Sequence, residues 1–242
     1  MLEAKNKSPT INTEIVETLR RDGAVVLPQR FAFVNEFIQH LSNKPVYQNH
    51  VRQGRPDPVP IGSHPWTSYD IWDVISAPEF LETAISFIPI AESYLESPSV
   101  LYSFNAFNCE PNHQPKRDIQ DWHRDADDVR FLALFMYCTD VVDENDGPHQ
   151  FIRGTHQGRP DTGECVTILG PAGTLFLSDT SNIHRGLMPK RKRRTIAWAR
   201  WGVSVPPASY GWDKLSPLPR AALGDRYPDD PRTRETIRFI AA

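Results

Sequence analysis

The apolar positions of this chain follow a helical period in its first third and a strand period afterwards. From Thr10, Ile11, Ile15, Val16 and Leu19 recur at helical spacing until Asp22-Gly23 stops them, and Ala24-Val25-Val26-Leu27-Pro28 then runs as a strand. Phe33, Val34, Phe37, Ile38 and Leu41 repeat the helical spacing over Phe31 to Leu41. Pro78 to Leu95 is the longest helical stretch, with Pro78 suited to a first helical position and Pro89 expected to kink or end it. Between Asn43 and Ile75 no period holds, and turn formers crowd Arg52 to Gly62, which predicts a long loop. His64, Trp66, Tyr69 and Trp72 in that loop either wall a substrate pocket or anchor the loop on the core.

After Glu96-Ser-Pro-Ser the texture changes. Strand-like pieces recur at Val100 to Asn108, Phe131 to Cys138, His149 to Ile152, Glu164 to Ile168, Thr174 to Ser178 and Thr195 to Trp201, separated by Asn145-Asp-Gly-Pro, Arg153-Gly-Thr-His, Leu169-Gly-Pro-Ala-Gly and Met188-Pro. Short strands with turn signals at this cadence predict a mainly β fold with flanking helices, a sandwich or barrel-like jelly roll. Past Pro206 the chain is rich in proline and charge, with weak helical promise only from Glu235 to Ala241. The 242 residues fit one domain, in which helices and loop (1–98) pack on a β core (99–204) covered by a tail (205–242).

Composition narrows the function classes. With 27 basic and 30 acidic residues there is no net field to steer the chain toward nucleic acid or an acidic membrane. The basic run Lys190 to Arg194 matches a crude nucleic-acid pattern, but its place before the last core strand reads as a connecting turn. Three cysteines without paired spacing fit free thiols in a reducing compartment, the N-terminus carries charge where a secretory signal needs an apolar core, and no apolar run is long enough to span a bilayer. A cytoplasmic protein with no nucleic-acid or membrane partner is expected.

The chemistry gathers at Asp121-Trp-His123-Arg-Asp125. On a strand, residues two apart face one side, so His123 and Asp125 can reach a common point. One imidazole and one carboxylate make two-thirds of a 2-His-1-carboxylate facial triad, which holds iron(II) on one face and leaves the others open. His184, 59 residues after Asp125 and at the end of the Gly173 block, is the candidate for the second histidine. A lone His-x-Asp is weak, and here the strand context raises it. Arg124 should face away from the pair, Asp127 and Asp128 read as solvated turn residues or caps, and His156 reads as a turn histidine donating to a carbonyl.

In their order, Asp22-Gly23-Ala-Val-Val-Leu, Trp122-His-Arg-Asp125, Asn145-Asp-Gly-Pro148, Phe151-Ile-Arg-Gly-Thr-His156, Gly173 to Gly186 and Arg193-Arg-Thr-Ile resemble the phytanoyl-CoA dioxygenase family of iron(II) and 2-oxoglutarate dependent oxygenases, over most of residues 10 to 203. The resemblance implies a double-stranded β-helix core, a jelly roll of cupin-like form, with His123, Asp125 and His184 as iron ligands. It further implies an arginine on the distal carboxylate of 2-oxoglutarate, since a guanidinium binds a carboxylate through two parallel hydrogen bonds. Arg193 fits the family's arginine, one residue, small residue, aliphatic pattern best. Arg194 is the alternative, because a shift of one residue on a strand exchanges the faces. Asn105 and Asn108 read equally as keto-acid contacts and as ordinary strand residues. The implied activity is oxidation of a small-molecule substrate with dioxygen, by default hydroxylation with release of succinate and CO2, and ascorbate is a possible reductant. A non-catalytic cupin-like metal-binding or sensing protein is the alternative.

Overall fold

The computed structural model describes residues 9–48, 57–111, 121–156, 163–204 and 223–240. Helix α1 (Pro9–Asp22) enters strand β1 (Ala24–Arg30) through Gly23. There φ is 83°, and a Cβ would meet Asn182 Nδ2 at 1.9 Å, so the predicted stop is also a close approach that only glycine allows. The chain continues through α2 (Val34–Ser42), β2 (Val46–Gln48), β3 (Trp66–Tyr69), α3 (Ile71–Ser76), α4 (Phe80–Ser86) and α5 (Ile88–Leu95). Then come β4 (Val100–Cys109), β5 (Phe131–Tyr137), β6 (His149–Ile152), β7 (Cys165–Ile168), β8 (Thr174–Ser178), β9 (His184–Gly186), β10 (Arg194–Gly202) and α6 (Pro231–Thr236).

These strands form two antiparallel sheets, a large one in the order β1-β8-β5-β10-β4-β3-β2 and a small one in the order β7-β6-β9. The fold is mainly β with flanking helices, a jelly roll as the strand cadence predicts. Strand β10 lies between β5 and β4 and divides the interior by parity. Ala197, Ala199 and Trp201 face the helices, in one core with Phe37, Phe80, Phe104 and Leu134. There Phe37, Phe80 and Phe104 meet edge to face. Ile196 and Trp198 face the other way, into a second core with Phe135, Phe151 and Phe176 between the sheets. Every buried strand thus needs apolar residues on both faces, and Phe131 to Tyr137 is buried throughout.

Three expectations are corrected. The stretch from Asn43 to Ile75 contains β2, β3 and α3 and is not one loop. Trp66-Thr-Ser-Tyr69 has little period of its own, but the open edge of β4 offers it a hydrogen-bonding ladder, and the register Trp66 to Cys109 and Thr67 to Asn108 buries it. Tyr69 is buried and Trp72 packs on the helix-side core, so these two anchor the segment. Pro78 to Leu95 is two helices: Glu79, with φ of 61°, precedes α4, and Pro89 sits in the first turn of α5, where its missing N–H costs no hydrogen bond. The described part of the tail packs Leu223, Ile237 and Ile240 into the core, with α6 earlier than the weak helical signal. No described helix is long and apolar enough to cross a membrane.

Candidate metal centre

The centre forms where the His-x-Asp segment lies against β9. His123 N–H donates to the His184 carbonyl at 3.0 Å, His184 N–H returns to the His123 carbonyl at 2.9 Å, and Asp125 N–H donates to the Thr180 carbonyl at 2.9 Å. This short pairing brings together residues that are 61 positions apart. The turn before His184 is held by its own side chains. Asp179 accepts from Ser181 N–H at 2.9 Å, and Thr155 Oγ1 donates to Asn182 Oδ1 at 3.1 Å while accepting from Ile183 N–H at 3.0 Å. Arg124 points away, as its strand parity predicts, and donates to the carbonyls of Thr155 and Ser181, clamping the segment from behind.

His123, Asp125 and His184 each offer one ligand atom, and these atoms lie within 4.8 Å of one another. His123 Nδ1 donates to the Asp121 carbonyl at 2.8 Å and His184 Nδ1 to the Asn182 carbonyl at 2.9 Å. A carbonyl can only accept, so both rings carry the proton on Nδ1 and leave Nε2 basic. The two Nε2 atoms stand 3.6 and 3.8 Å from the Asp125 oxygens. Burial holds the His184 imidazole below the ordinary histidine value and His123 pushes the same way, against Asp125, so the ring is neutral, as a metal requires. Burial alone would raise the Asp125 carboxyl; Arg200, His184, Thr180 and His123 outweigh it and hold it below the usual range. The site offers two imidazole nitrogens and one carboxylate, the donor set of a facial triad.

Two arginines of β10 flank this centre. Arg200 donates to Asp125 Oδ2 at 2.9 Å and pairs with Asp127. Asp128 accepts from the N–H groups of Val203 and Ser204 at 2.8 and 2.9 Å. Asp127 and Asp128 are therefore not solvated turn residues, because the end of β10 supplies donors that draw both inward. At the other end, Arg194 is 5% exposed and shares the inward parity of Ile196 and Trp198. Its guanidinium donates to the Gly147 carbonyl and reaches Cys109 Sγ at 3.1 Å, and among the described residues no carboxylate pairs with it. Gly186, two residues beyond His184, gives it room, since a Cβ there would stand 3.2 Å from Arg194 Nη2.

The remaining candidates divide by the same parity. Arg193 lies on the opposite side of β10 from Arg194 and pairs with Glu110. Asn105 shares the face of Phe107 and Trp198 and donates to Ser103 Oγ at 3.1 Å, whereas Asn108 faces the helix side and accepts from Thr195 Oγ1 at 2.8 Å. His156 is buried with Nε2 3.1 Å from the Arg20 carbonyl, in the structural role its turn suggests. Arg191 pairs with Asp143 and Asp146, so the basic run is mostly committed to ion pairs. Of four arginines that the sequence offers either to a basic entrance or to scattered surface charge, Arg52, Arg55 and Arg117 lie outside the described residues, and Arg130 pairs with Glu96 and donates to the Tyr94 carbonyl at 3.1 Å.

One residue near the centre escapes a reading of motifs. His149, at the start of β6, is 4% exposed, and its ring stacks on that of His184 with centroids 5.4 Å apart. The signal was its parity: it precedes Phe151 by two, on the strand that pairs with β9.

No protein-family model matches this chain, and no curated protein does. Solved structures share its fold. The non-heme alpha-ketoglutarate dependent epimerase SnoN from nogalamycin biosynthesis superposes with a TM-score of 0.60 at 18% identity, covering 80% of this chain and 83% of its own. HygX from Streptomyces hygroscopicus, with nickel, 2-oxoglutarate and hygromycin B bound, gives 0.56 at 15% identity over 79% of this chain and 87% of its own. EctD from S. alaskensis, with bound iron, gives 0.55 at 14% identity over 82% and 79%. At these identities the likeness establishes the fold, a jelly roll shared with non-heme iron and 2-oxoglutarate dependent enzymes.

Proposed function

We propose that this protein is an iron(II) and 2-oxoglutarate dependent oxygenase of the phytanoyl-CoA dioxygenase type, oxidising a C–H bond of a small organic molecule. The observation that carries this reading is the convergence of His123, Asp125 and His184, with both Nδ1 protons tied to carbonyls and both Nε2 atoms beside the carboxylate. A metal-free structural role for the two histidines needs neither the shared point nor the matched tautomers. The likeness to SnoN, HygX and EctD supports the same reading at the level of fold.

The chain's own contributions can be assigned. His123, Asp125 and His184 would hold the iron, and Arg200 donates to Asp125 Oδ2, which leaves Oδ1 free to serve as a ligand. Arg194 would anchor the distal carboxylate of 2-oxoglutarate, because it is the inward-facing member of the pair Arg193 and Arg194 and the one without a carboxylate partner among the described residues. The apolar surface of Phe135, Phe151, Phe176 and Trp198 excludes water around the bound keto-acid. When bound, iron and 2-oxoglutarate supply with dioxygen the oxidising power that no side chain has. Hydroxylation with release of succinate and CO2 is the default outcome. The same ligands serve other C–H chemistry, and the similar folds include an epimerase and a carbocyclase.

Anaerobic titration of the protein with iron(II) and then 2-oxoglutarate tests this reading. A weak visible charge-transfer band is expected in the wild type and lost in Asp125→Ala, followed by succinate release on admitting air. Metal binding without the band would replace the oxygenase by a metal-binding or sensing protein.

A further inference from the structure

His149 is a buried histidine that neither the ligand set nor the packing explains in full. Its ring lies among Phe135, Phe176 and His184, with centroids 5.3, 5.3 and 5.4 Å away, yet its Nε2 is buried without a hydrogen-bond partner among the described residues. An apolar residue would fill such a space without cost, whereas a buried polar atom left unmatched loses its hydration with nothing in return. An orphaned polar atom at this depth calls for a partner that arrives from outside.

The register of the small sheet says where that partner would sit. His184 pairs with Phe151, and one step of two residues further, about 6.7 Å along the strand, Gly186 pairs with His149. Arg194 lies over Gly186, on the face that a Cβ would occupy, and donates to the Gly147 carbonyl next to β6. His149 and Arg194 therefore stand at one level of the barrel, a step deeper than His184. Arg194 Nε is likewise buried and, among the described residues, without a partner. Two unmatched buried nitrogens at one level, one on a guanidinium and one on an imidazole, form a cradle for a single carboxylate.

We propose that His149 is a co-substrate-binding residue that donates its Nε2–H to the distal carboxylate of the keto-acid held by Arg194. This rests on the oxygenase reading above and adds to it a second donor. The imidazole N–H supplies a single directed hydrogen bond beside the guanidinium of Arg194. It also closes the cradle on the β6 side, so the two donors together set the length of the diacid that the site accepts.

The test is calorimetric titration of 2-oxoglutarate into the anaerobic iron(II)-loaded protein. His149→Phe keeps a ring against Phe135 and Phe176 but removes the donor; it should weaken 2-oxoglutarate roughly tenfold to a hundredfold with iron affinity unchanged. His149→Gln, which restores an N–H, should recover most of the loss. Binding by His149→Phe at wild-type affinity would overturn the proposal and leave the oxygenase reading standing. Failure of the wild type to bind 2-oxoglutarate would overturn both. Should His149→Phe not retain iron, the wild type decides: in the zinc-loaded protein with 15N-labelled histidine, 2-oxoglutarate should shift the His149 Nε2–H resonance and protect it from exchange. An unmoved resonance at saturation would sink the idea.

Discussion

The two ends of β10 carry an arginine each, and they are handled in opposite ways. Arg200 is partly buried between two carboxylates, Asp125 and Asp127, so its charge is spent within the protein. Arg194, six residues earlier on the same face, is more deeply buried and finds two carbonyls and a thiol. A buried cation without a counter-charge is unfavourable unless something compensates it. The difference teaches which end of the strand is neutralised by the described carboxylates and which, on the proposed function, would take an anion. A carboxylate entering beside Arg194 removes the imbalance there, while at Arg200 it would meet two negative charges.

The largest effect should come from erasing that imbalance. Arg194→Met should cost the 2-oxoglutarate complex about 2–5 kcal/mol, the usual loss on truncating a buried charged hydrogen-bond partner, and yet leave the free protein at least as stable. Arg193→Met should change 2-oxoglutarate affinity less than about twofold, since a partly exposed ion pair like that with Glu110 contributes about 0–1 kcal/mol and only to folding. Calorimetry with 2-oxoglutarate and denaturant unfolding of the metal-free protein measure both. Loss of affinity in Arg193→Met and not in Arg194→Met would exchange the two roles.

That pair also marks the limit of what the sequence carries. The convergence of His123, Asp125 and His184 was legible because His-x-Asp needs only the two-residue period of extended chain, and because His184 follows a run, Gly173 to Phe176 and onward, that is apolar enough to read as a strand. The choice between Arg193 and Arg194 was not, because the course of the turn Lys190 to Arg193 is set by ion pairs of Arg191 and Arg193 to Asp143, Asp146 and Glu110, which lie far away in the chain.

 The residue at which that turn hands over to β10 decides which arginine turns inward. Strands β2, β3 and β9 were illegible for a related reason. They are three or four residues long and owe their existence to the neighbours they pair with, β4 for β3 and β6 for β9. His149 was visible only as part of a strand, and its importance appears once β6 is seen to lie beside His184.

Arg200 tests the finished end. Arg200→Gln leaves Asp125 and Asp127 facing each other, and should destabilise the metal-free protein by about 1–3 kcal/mol, between the values for exposed and fully buried pairs. Added iron(II) or zinc should return part of that, because the metal neutralises Asp125. Thermal unfolding with and without metal reads both, and equal losses in the two states would mean that Arg200 does not act through Asp125.

A smaller change sharpens the open end without removing any charge. Gly186→Ala places a Cβ 3.2 Å from Arg194 Nη2, close enough that the guanidinium must give by a few tenths of an ångström. A misplacement of that size should weaken 2-oxoglutarate roughly threefold to tenfold and hardly alter folding. An unchanged affinity would show that Arg194 has slack and is not held to one position by Gly186.

The smallest effect provides the control, a charged cluster that supports the fold and stands apart from both ends of β10. Asp22 is buried at the end of α1 and pairs with Arg21 and Arg153, each at 2.8 Å. Burial would push its carboxyl up, but the two guanidinium groups outweigh that and hold it below the usual carboxylate range. A depressed folded value means that the stabilisation is complete above the unfolded value, near about 4, and is lost as pH falls through the folded one. Asp22→Asn should therefore lower stability by about 1 kcal/mol at neutral pH and flatten its fall in acid below about pH 4. The turn before His184 should survive, because Asn182 Nδ2 reaches the Asp22 backbone carbonyl, which the substitution keeps. Iron and 2-oxoglutarate affinities at neutral pH should then match the wild type. A loss of either would mean that the α1 junction sets the geometry of the metal centre through more than the backbone.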